Sequence, residues 1–307
     1  MIRARQLSKW FGQVMALNSV DVEVGPGVTG LLGPNGAGKT TFLRLLTGQL
    51  RPSQGSITID EQPVWGNAPL MARVGFCPDE DAFYDDLTGL EFVTTLARLS
   101  GLDRGAAGRC AREAIERVDM SAAAGRRIRG YSRGMRQRIK FAQALVHDPD
   151  VLVFDEPLTG TDPVGRRALR DLIAGLAAEG KTVLVSSHVL HEVESLTASI
   201  VLIYRGRVVA SGDVREIRDL MDEHPHRIRV RCDRPRELAA ALTELEGVVG
   251  VELSRAPPGL VVHSERPAAL FDRLPGLLLG AGIRLDELAS EDDSLEAVFR
   301  YLVGRRA

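Results

Sequence analysis

The sequence predicts an α/β protein, a parallel-sheet core interrupted by a helical insertion, followed by a small α+β domain. Short continuous apolar runs recur at Val151-Leu152-Val153-Phe154, Thr182-Val183-Leu184-Val185 and Ser199-Ile200-Val201-Leu202-Ile203. Such runs suit strands buried on both faces, with helices between them. From Leu87 to about Arg129 the pattern turns helical and rich in Arg and Ala. From Ile228 onward the order becomes β-α-β-β-α-β, the split-βαβ arrangement.

Taken along the chain, Val20, Val22 and Val24 alternate on one face of a strand. Val28, Leu31 and Leu32 form the next, and Phe42, Leu43, Leu45 and Leu46 follow with helical spacing. Ile57 and Ile59 alternate after the turn Pro52-Ser53-Gln54-Gly55. In the insertion, Leu90, Val93, Leu96 and Ala97 make one helical face, and Ala111, Ala114, Ile115 and Val118 make another. In the second domain Ile228, Val230 and Cys232 alternate. Pro235 then opens a helix carrying Leu238, Leu242 and Leu245, which Gly247 ends. Val249 and Val251 lead into the turn Pro257-Pro258-Gly259, and Leu260-Val261-Val262 follows. A helix with Ala269, Leu270 and Leu274 and a strand from Ile283 to Leu285 come next. A last helix begins near Asp293 or Ser294, with Leu295, Val298, Phe299 and Leu302 on one face. The linker falls near Asp222-Glu223-His224-Pro225-His226. The expected domains are thus 1–220, with a helical subdomain over about 81–135, and 221–307.

A chain of 307 residues is long enough for two cores, and its 44% apolar and 26% charged residues are those of a globular protein. A net charge of −2 leaves no electrostatic footprint for nucleic acid. Cys77, Cys110 and Cys232 form no C-x-x-C pair, so neither a zinc site nor a disulfide framework is indicated. No apolar run has bilayer length, and Met1-Ile2-Arg3-Ala4-Arg5 leads into no signal-peptide core. The expectation is a soluble, intracellular chain.

Gly33-Pro34-Asn35-Gly36-Ala37-Gly38-Lys39-Thr40-Thr41 fits the G-x-x-x-x-G-K-[ST] pattern, between an apolar strand and a helix. Glycines let the backbone turn and aim successive N–H groups at an anion at the helix start. Lys39 supplies a point charge for β- and γ-phosphates, and Thr40 a hydroxyl for Mg²⁺. The alternative is a Gly-rich turn that happens to contain Lys-Thr; strand and helix on either side argue against it. A second apolar strand ends in Asp155-Glu156. Asp155 is placed to hold Mg²⁺ opposite Thr40, and Glu156 to polarise a water as general base. Taken alone, the pair also reads as two acidic loop residues.

These two segments and three others together resemble the ATP-binding subunit of ABC transporters, over about residues 1–212. Tyr131-Ser132-Arg133-Gly134-Met135-Arg136-Gln137-Arg138 is similar to the family's signature, and Leu158-Thr159-Gly160-Thr161-Asp162-Pro163 to its D-loop. His188 falls at the switch histidine, and Phe11 at the aromatic that stacks on adenine. The resemblance implies a RecA-like P-loop core, ATP and Mg²⁺, and ATP hydrolysis at Glu156 with His188. It implies that Ser132 and Gly134 reach the γ-phosphate of ATP held by a second chain. From the residues alone, Ser132 is equally a helix cap, His188 a loop or core histidine, and either Trp10 or Phe11 simply core. His188 and His191 have metal-ligand spacing but no evident carboxylate or thiol partner.

Two departures stand out. Asp79, after Pro78, occupies the family's glutamine position; it can still ligate Mg²⁺ while adding negative charge. Tyr131, Arg133 and Met135 replace the signature's usual residues. Both that signature and the Ser294-Leu295-Glu296-Ala297-Val298-Phe299 ending resemble type-2 exporter subunits, whose permease is a separate chain. The implied protein is an exporter ATPase on the cytoplasmic face of the membrane. It pairs with a second copy or a paralogue, meets the permease through the loop after Asp79 and helices near Phe83 to Leu99, and touches no nucleic acid directly. Phe83 and Tyr84 can equally be internal packing. The rival is a soluble ABC ATPase acting on ribosomes or DNA, against which stand a single phosphate loop and a short interval from loop to signature. A P-loop kinase or GTPase would not need Ser132 and Gly134.

Overall fold

The computed structural model describes residues 1–214, 217, 225–255 and 258–290. Contacts divide the chain into two compact units, Met1–Gly212 and Asp213–Ala307. The first unit ends near the last strand of its sheet, β10 (Arg207–Asp213), several residues before the boundary expected from sequence.

The first unit holds two sheets. An antiparallel one runs in the order β2-β1-β4-β5, from β1 (Ile2–Phe11), β2 (Val14–Val24), β4 (Gln54–Ile59) and β5 (Gln62–Pro63). The other has six strands in the order β10-β9-β3-β8-β7-β6. Its remaining members are β3 (Gly27–Leu32), β6 (Val74–Cys77), β7 (Val151–Asp155), β8 (Thr182–Ser187) and β9 (Ser199–Tyr204). β3 pairs in parallel with β8 and β9, and β7 with β8 and β6.

Both faces of the parallel sheet are covered, which explains its continuous apolar runs. Val151, Val153 and Leu184 join a core with Ile2, Leu17, Phe42 and Leu46. Leu152, Phe154 and Val183 face the other way and pack with Phe92, Ile115, Ile139 and Phe141. The helices over these faces are α1 (Lys39–Leu46), α2 (Ala68–Met71), α3 (Gly89–Leu99), α4 (Arg104–Arg117), α5 (Arg133–Leu145), α6 (Pro163–Ala178) and α7 (Leu190–Glu194).

Two local expectations change. The stretch from Leu87 to Arg129 is not uniformly helical: Gly101 (φ 96°) and Asp119 (φ 55°) take left-handed conformations that stop α3 and α4. α3 itself starts at Gly89 behind a capping box, in which the Glu91 N–H donates to Thr88 Oγ1 (3.2 Å) and the Thr88 N–H to Glu91 Oε2 (2.9 Å). The turn ahead of β4 is shorter than expected, because β4 already begins at Gln54, which pairs with Ser8 of β1. Gly55 (φ 74°) sits against a bulge at Gln6, where an added Cβ would lie 2.2 Å from the Gln6 carbonyl.

The second unit follows β11 (His226–Cys232), α8 (Pro235–Thr243), β12 (Val248–Arg255), β13 (Pro258–Ser264), α9 (Pro267–Ala281) and β14 (Leu285–Ser290). The sheet order is β12-β13-β11-β14, and its pairs are antiparallel. Ile228, Val230, Leu238, Leu242, Val262 and Leu270 fill its core. Residues 222–224 of the expected linker and the whole final helix lie outside the described residues. Among the described residues, no helix is long and apolar enough to cross a membrane.

Candidate nucleotide-binding site

Parallel register gathers the site at one edge. Leu32 pairs with Ser187, Asp155 with Ser186 and Cys77 with Phe154. The chain therefore leaves β3, β7, β8 and β6 side by side, into Gly33, Glu156, His188 and Pro78-Asp79. Loops at the carboxyl edge of such a sheet are where ligands of open α/β folds bind.

The phosphate loop is shaped by backbone. Gly36 and Gly38 adopt φ of 79° and 108°, and an added Cβ at Gly38 would lie 2.7 Å from the Ala16 carbonyl. Gly38 is the N-cap of α1 and offers no side-chain cap, which leaves the first N–H groups of the helix available to an anion. Lys39 is buried; its Nζ donates to the Gly33 carbonyl (2.7 Å) and lies 3.4 Å from Glu156 Oε1. Thr40 is exposed and Thr41 half-buried.

One serine, Ser186, holds the Asp155 carboxylate and the Glu156 backbone. Ser186 Oγ accepts the Glu156 N–H at 3.0 Å and donates to Asp155 Oδ1 at 2.5 Å. Glu156 holds a left-handed backbone, φ 47°, a strain that persists where surroundings over-determine it. Its Oε2 lies 2.9 Å from His188 Nδ1. Ser187 Oγ, accepting the Val189 N–H at 3.0 Å, steadies the turn that carries His188. The Ser186-Ser187 pair ahead of His188 was the available signal.

Burial, and then the Asp155 charge, pushes the Asp79 carboxyl above the usual carboxylate range. Burial likewise pushes the neighbouring Cys77 thiol up to about 12, leaving it a neutral core group. The Asp79 and Asp155 carboxylates, whose charges act on one another, offer hard oxygen donors of the kind that fit Mg²⁺.

The remaining candidates stand apart from this cluster. Ser132 caps α5, its Oγ accepting the Met135 N–H at 3.3 Å, and space beside Gly134 is open. Asp162 caps α6, accepting the Gly165 N–H at 2.6 Å. Phe11, 48% exposed, has the Lys9 ammonium 5.2 Å from its ring centroid, while Trp10 is half-buried. Among the described residues, none of Phe11, Ser132, Gly134 and Asp162 makes a hydrogen bond or ion pair to the phosphate loop. Phe83 packs on Phe92 with ring centroids 5.2 Å apart, whereas Tyr84 is exposed.

Residues 17–159 match the ABC transporter family model. A Nod factor export ATP-binding protein I of Cupriavidus pinatubonensis is 34% identical over 310 residues, covering 99% of this chain and 91% of that protein. The chain belongs to the ATP-binding subunits of ABC transporters. An ABC transporter ATP-binding protein of Nostoc is 40% identical over 212 residues, and there the match spans only 63% of the relative's length. A solved ATP-binding subunit of an ABC transporter superposes with a TM-score of 0.66 at 26% identity, covering 72% of this chain and 93% of that one. Its fold is the P-loop core with helical insertion expected from sequence.

Proposed function

We propose that this ABC subunit powers an exporter, working as a dimer beneath a separate membrane permease at the cytoplasmic face. The observation that carries the dimer is the open signature end of α5. Ser132 and Gly134 present donors there that, among the described residues, make no hydrogen bond or ion pair to the phosphate loop of their own chain. Across a head-to-tail pair, those donors meet the γ-phosphate of ATP on the other copy, with Asp162 nearby. Export is supported by the near full-length match to a protein named for Nod factor export, together with the Tyr-Ser-Arg-Gly-Met signature.

Lys39 has two arrangements available. It lies on the Gly33 carbonyl and Glu156; with ATP in the loop it turns to the β- and γ-phosphates and frees the Glu156 carboxylate. Glu156 then accepts a proton from the attacking water, and His188 orients Glu156 and reaches the γ-phosphate. Phe11 offers a ring face to adenine. Thr40, Asp155 and Asp79 would hold Mg²⁺, which when bound offsets charge on the transferred phosphoryl. The C-terminal domain, expected from sequence at 221–307, serves as an accessory domain of the dimer, and exposed Tyr84 belongs to the surface that receives the permease.

The test is purification from membranes through an affinity tag. Recovery of a multi-span membrane protein in stoichiometric amount is expected. Fractionation with ribosomes, with no membrane protein retained, would overturn the reading in favour of a soluble ABC ATPase.

A further inference from the structure

Lys140, in the middle of α5, is 3% exposed, a degree of burial lysine rarely reaches unless paired. Its ammonium donates to the Asp79 backbone carbonyl at 2.8 Å and pairs with Asp81 Oδ1 at 3.0 Å. One turn earlier on the same face, Gln137 Nε2 donates to the Pro157 carbonyl at 2.8 Å, the residue after Glu156. One face of one helix therefore grips both the segment that carries Asp79 and the segment that follows Glu156.

The division of labour around Lys140 matters. Its charge is met by Asp81, and its hold on Asp79 is through the main chain. Among the described residues the Asp79 carboxylate makes no hydrogen bond or ion pair, although the Lys140 and Arg133 charges act on it, and it is available to a metal cation. Asp79 itself stands against the like charge of Asp155, which favours swinging it toward water. A displacement that carries the Asp79 backbone with it takes one of the two partners of a buried ammonium, leaving it only Asp81, and an under-paired buried cation is disfavoured.

We propose that Lys140 is a positioning residue for the divalent cation, holding Asp79 beside Asp155 through the Asp79 carbonyl and the Asp81 carboxylate. This rests on the reading of Asp79 as a metal ligand. A glutamine at that position adds no charge beside Asp155 and needs no such restraint.

The test measures Mn²⁺ binding in the presence of ADP, from the loss of the free-ion paramagnetic resonance signal, on the full chain. Lys140→Met is expected to weaken Mn²⁺ by about tenfold, as lost support of a ligand does, and to leave ADP affinity without metal unchanged. Lys140→Arg should retain most of the binding. Asp79→Ala should weaken it to a similar degree, and adding Lys140→Met to it should cost little more, since both act on one group. If Asp79→Ala weakens Mn²⁺ while Lys140→Met does not, the positioning role is wrong. If Asp79→Ala itself has no effect, the metal reading of Asp79 falls and this inference with it. Should Lys140→Met fail to fold, Asp81→Asn on the exposed side of the pair carries the test. Weaker Mn²⁺ binding supports the clamp, and unchanged binding overturns it.

Discussion

Around the phosphate loop the charged groups are already held, Lys39 on the Gly33 carbonyl, Glu156 on His188 and Lys39, Asp155 on Ser186. Around Ser132 the helix end at Gly134 stands open, while most of the arginines nearby are paired. Arg127 and Arg129 pair with Asp86, Arg136 with Asp85 and Arg138 with Asp119. Arg133 alone of these five makes no hydrogen bond or ion pair among the described residues, and its guanidinium lies over Gly160. Preorganised donors and acceptors lower the reorganisation needed at the moment of reaction, so the first region is built to act on what it binds. The second has helix-end donors that, among the described residues, make no hydrogen bond or ion pair to the phosphate loop. That difference is what the proposed composite site, completed by another copy, builds on.

Lys39→Ala tests the first region and should have the largest effect. Removing the buried cation should cut ATP hydrolysis by about a thousandfold, the scale of losing a main electrostatic stabiliser. Phosphate release measures it, and a loss below about tenfold would mean that the loop is not the phosphate cradle. Ser132→Ala tests the second. As a lost cap it costs about 1 kcal/mol of stability whatever its role. If Ser132 also serves another chain's nucleotide, hydrolysis should fall by about a hundredfold with ATP affinity of the dilute chain unchanged. Stability loss with normal turnover leaves Ser132 a cap alone.

Gly160→Ala probes the join between the two regions. The backbone there has φ 73°, and an added Cβ would lie 2.0 Å from the Arg133 guanidinium. About 1–2 kcal/mol of destabilisation is expected, and Arg133→Ala in the same chain should relieve the steric part, read by thermal melting. The smallest effect concerns His147, just past the far end of α5, whose Nε2 lies 3.1 Å from the Val74 carbonyl while Nδ1 has no partner. Burial lowers its pKa from the ordinary 6.5. The unfolded chain therefore takes up the proton first as pH falls. Stability from neutral His147 is present above pH 6.5 and declines as pH drops below it. His147→Gln should flatten the melting-temperature profile in that window, and an unchanged slope would remove His147 as its cause.

Most of the fold was legible where its cause is contiguous in the chain. The strand, glycine loop and helix from Val28 to Leu46 declare themselves by spacing, and so do the runs of β7, β8 and β9. The strand β6 was not anticipated; it has only four residues and takes its place from its pairing with β7. The same holds at the site. Asp155, Glu156 and His188 lie in recognisable segments, but Ser186 bridging Asp155 and Glu156, and Lys140 beneath Asp79, depend on contacts between segments far apart in sequence. The bulge at Gln6 opposite Gly55 is of that kind too. The Thr88-Glu91 capping box, by contrast, is a local signal that was present and passed over.

In the proposed dimer, ATP on one copy is completed by Ser132 and Gly134 of the other. Glu156→Gln keeps the shape of the base and removes its proton affinity, so ATP should bind and stay. Light scattering of that variant with saturating ATP and Mg²⁺ should give twice the mass of the 33.4 kDa chain, and Ser132→Ala in the same background should return it to the monomer. A Glu156→Gln chain that remains monomeric with ATP bound would contradict the composite site.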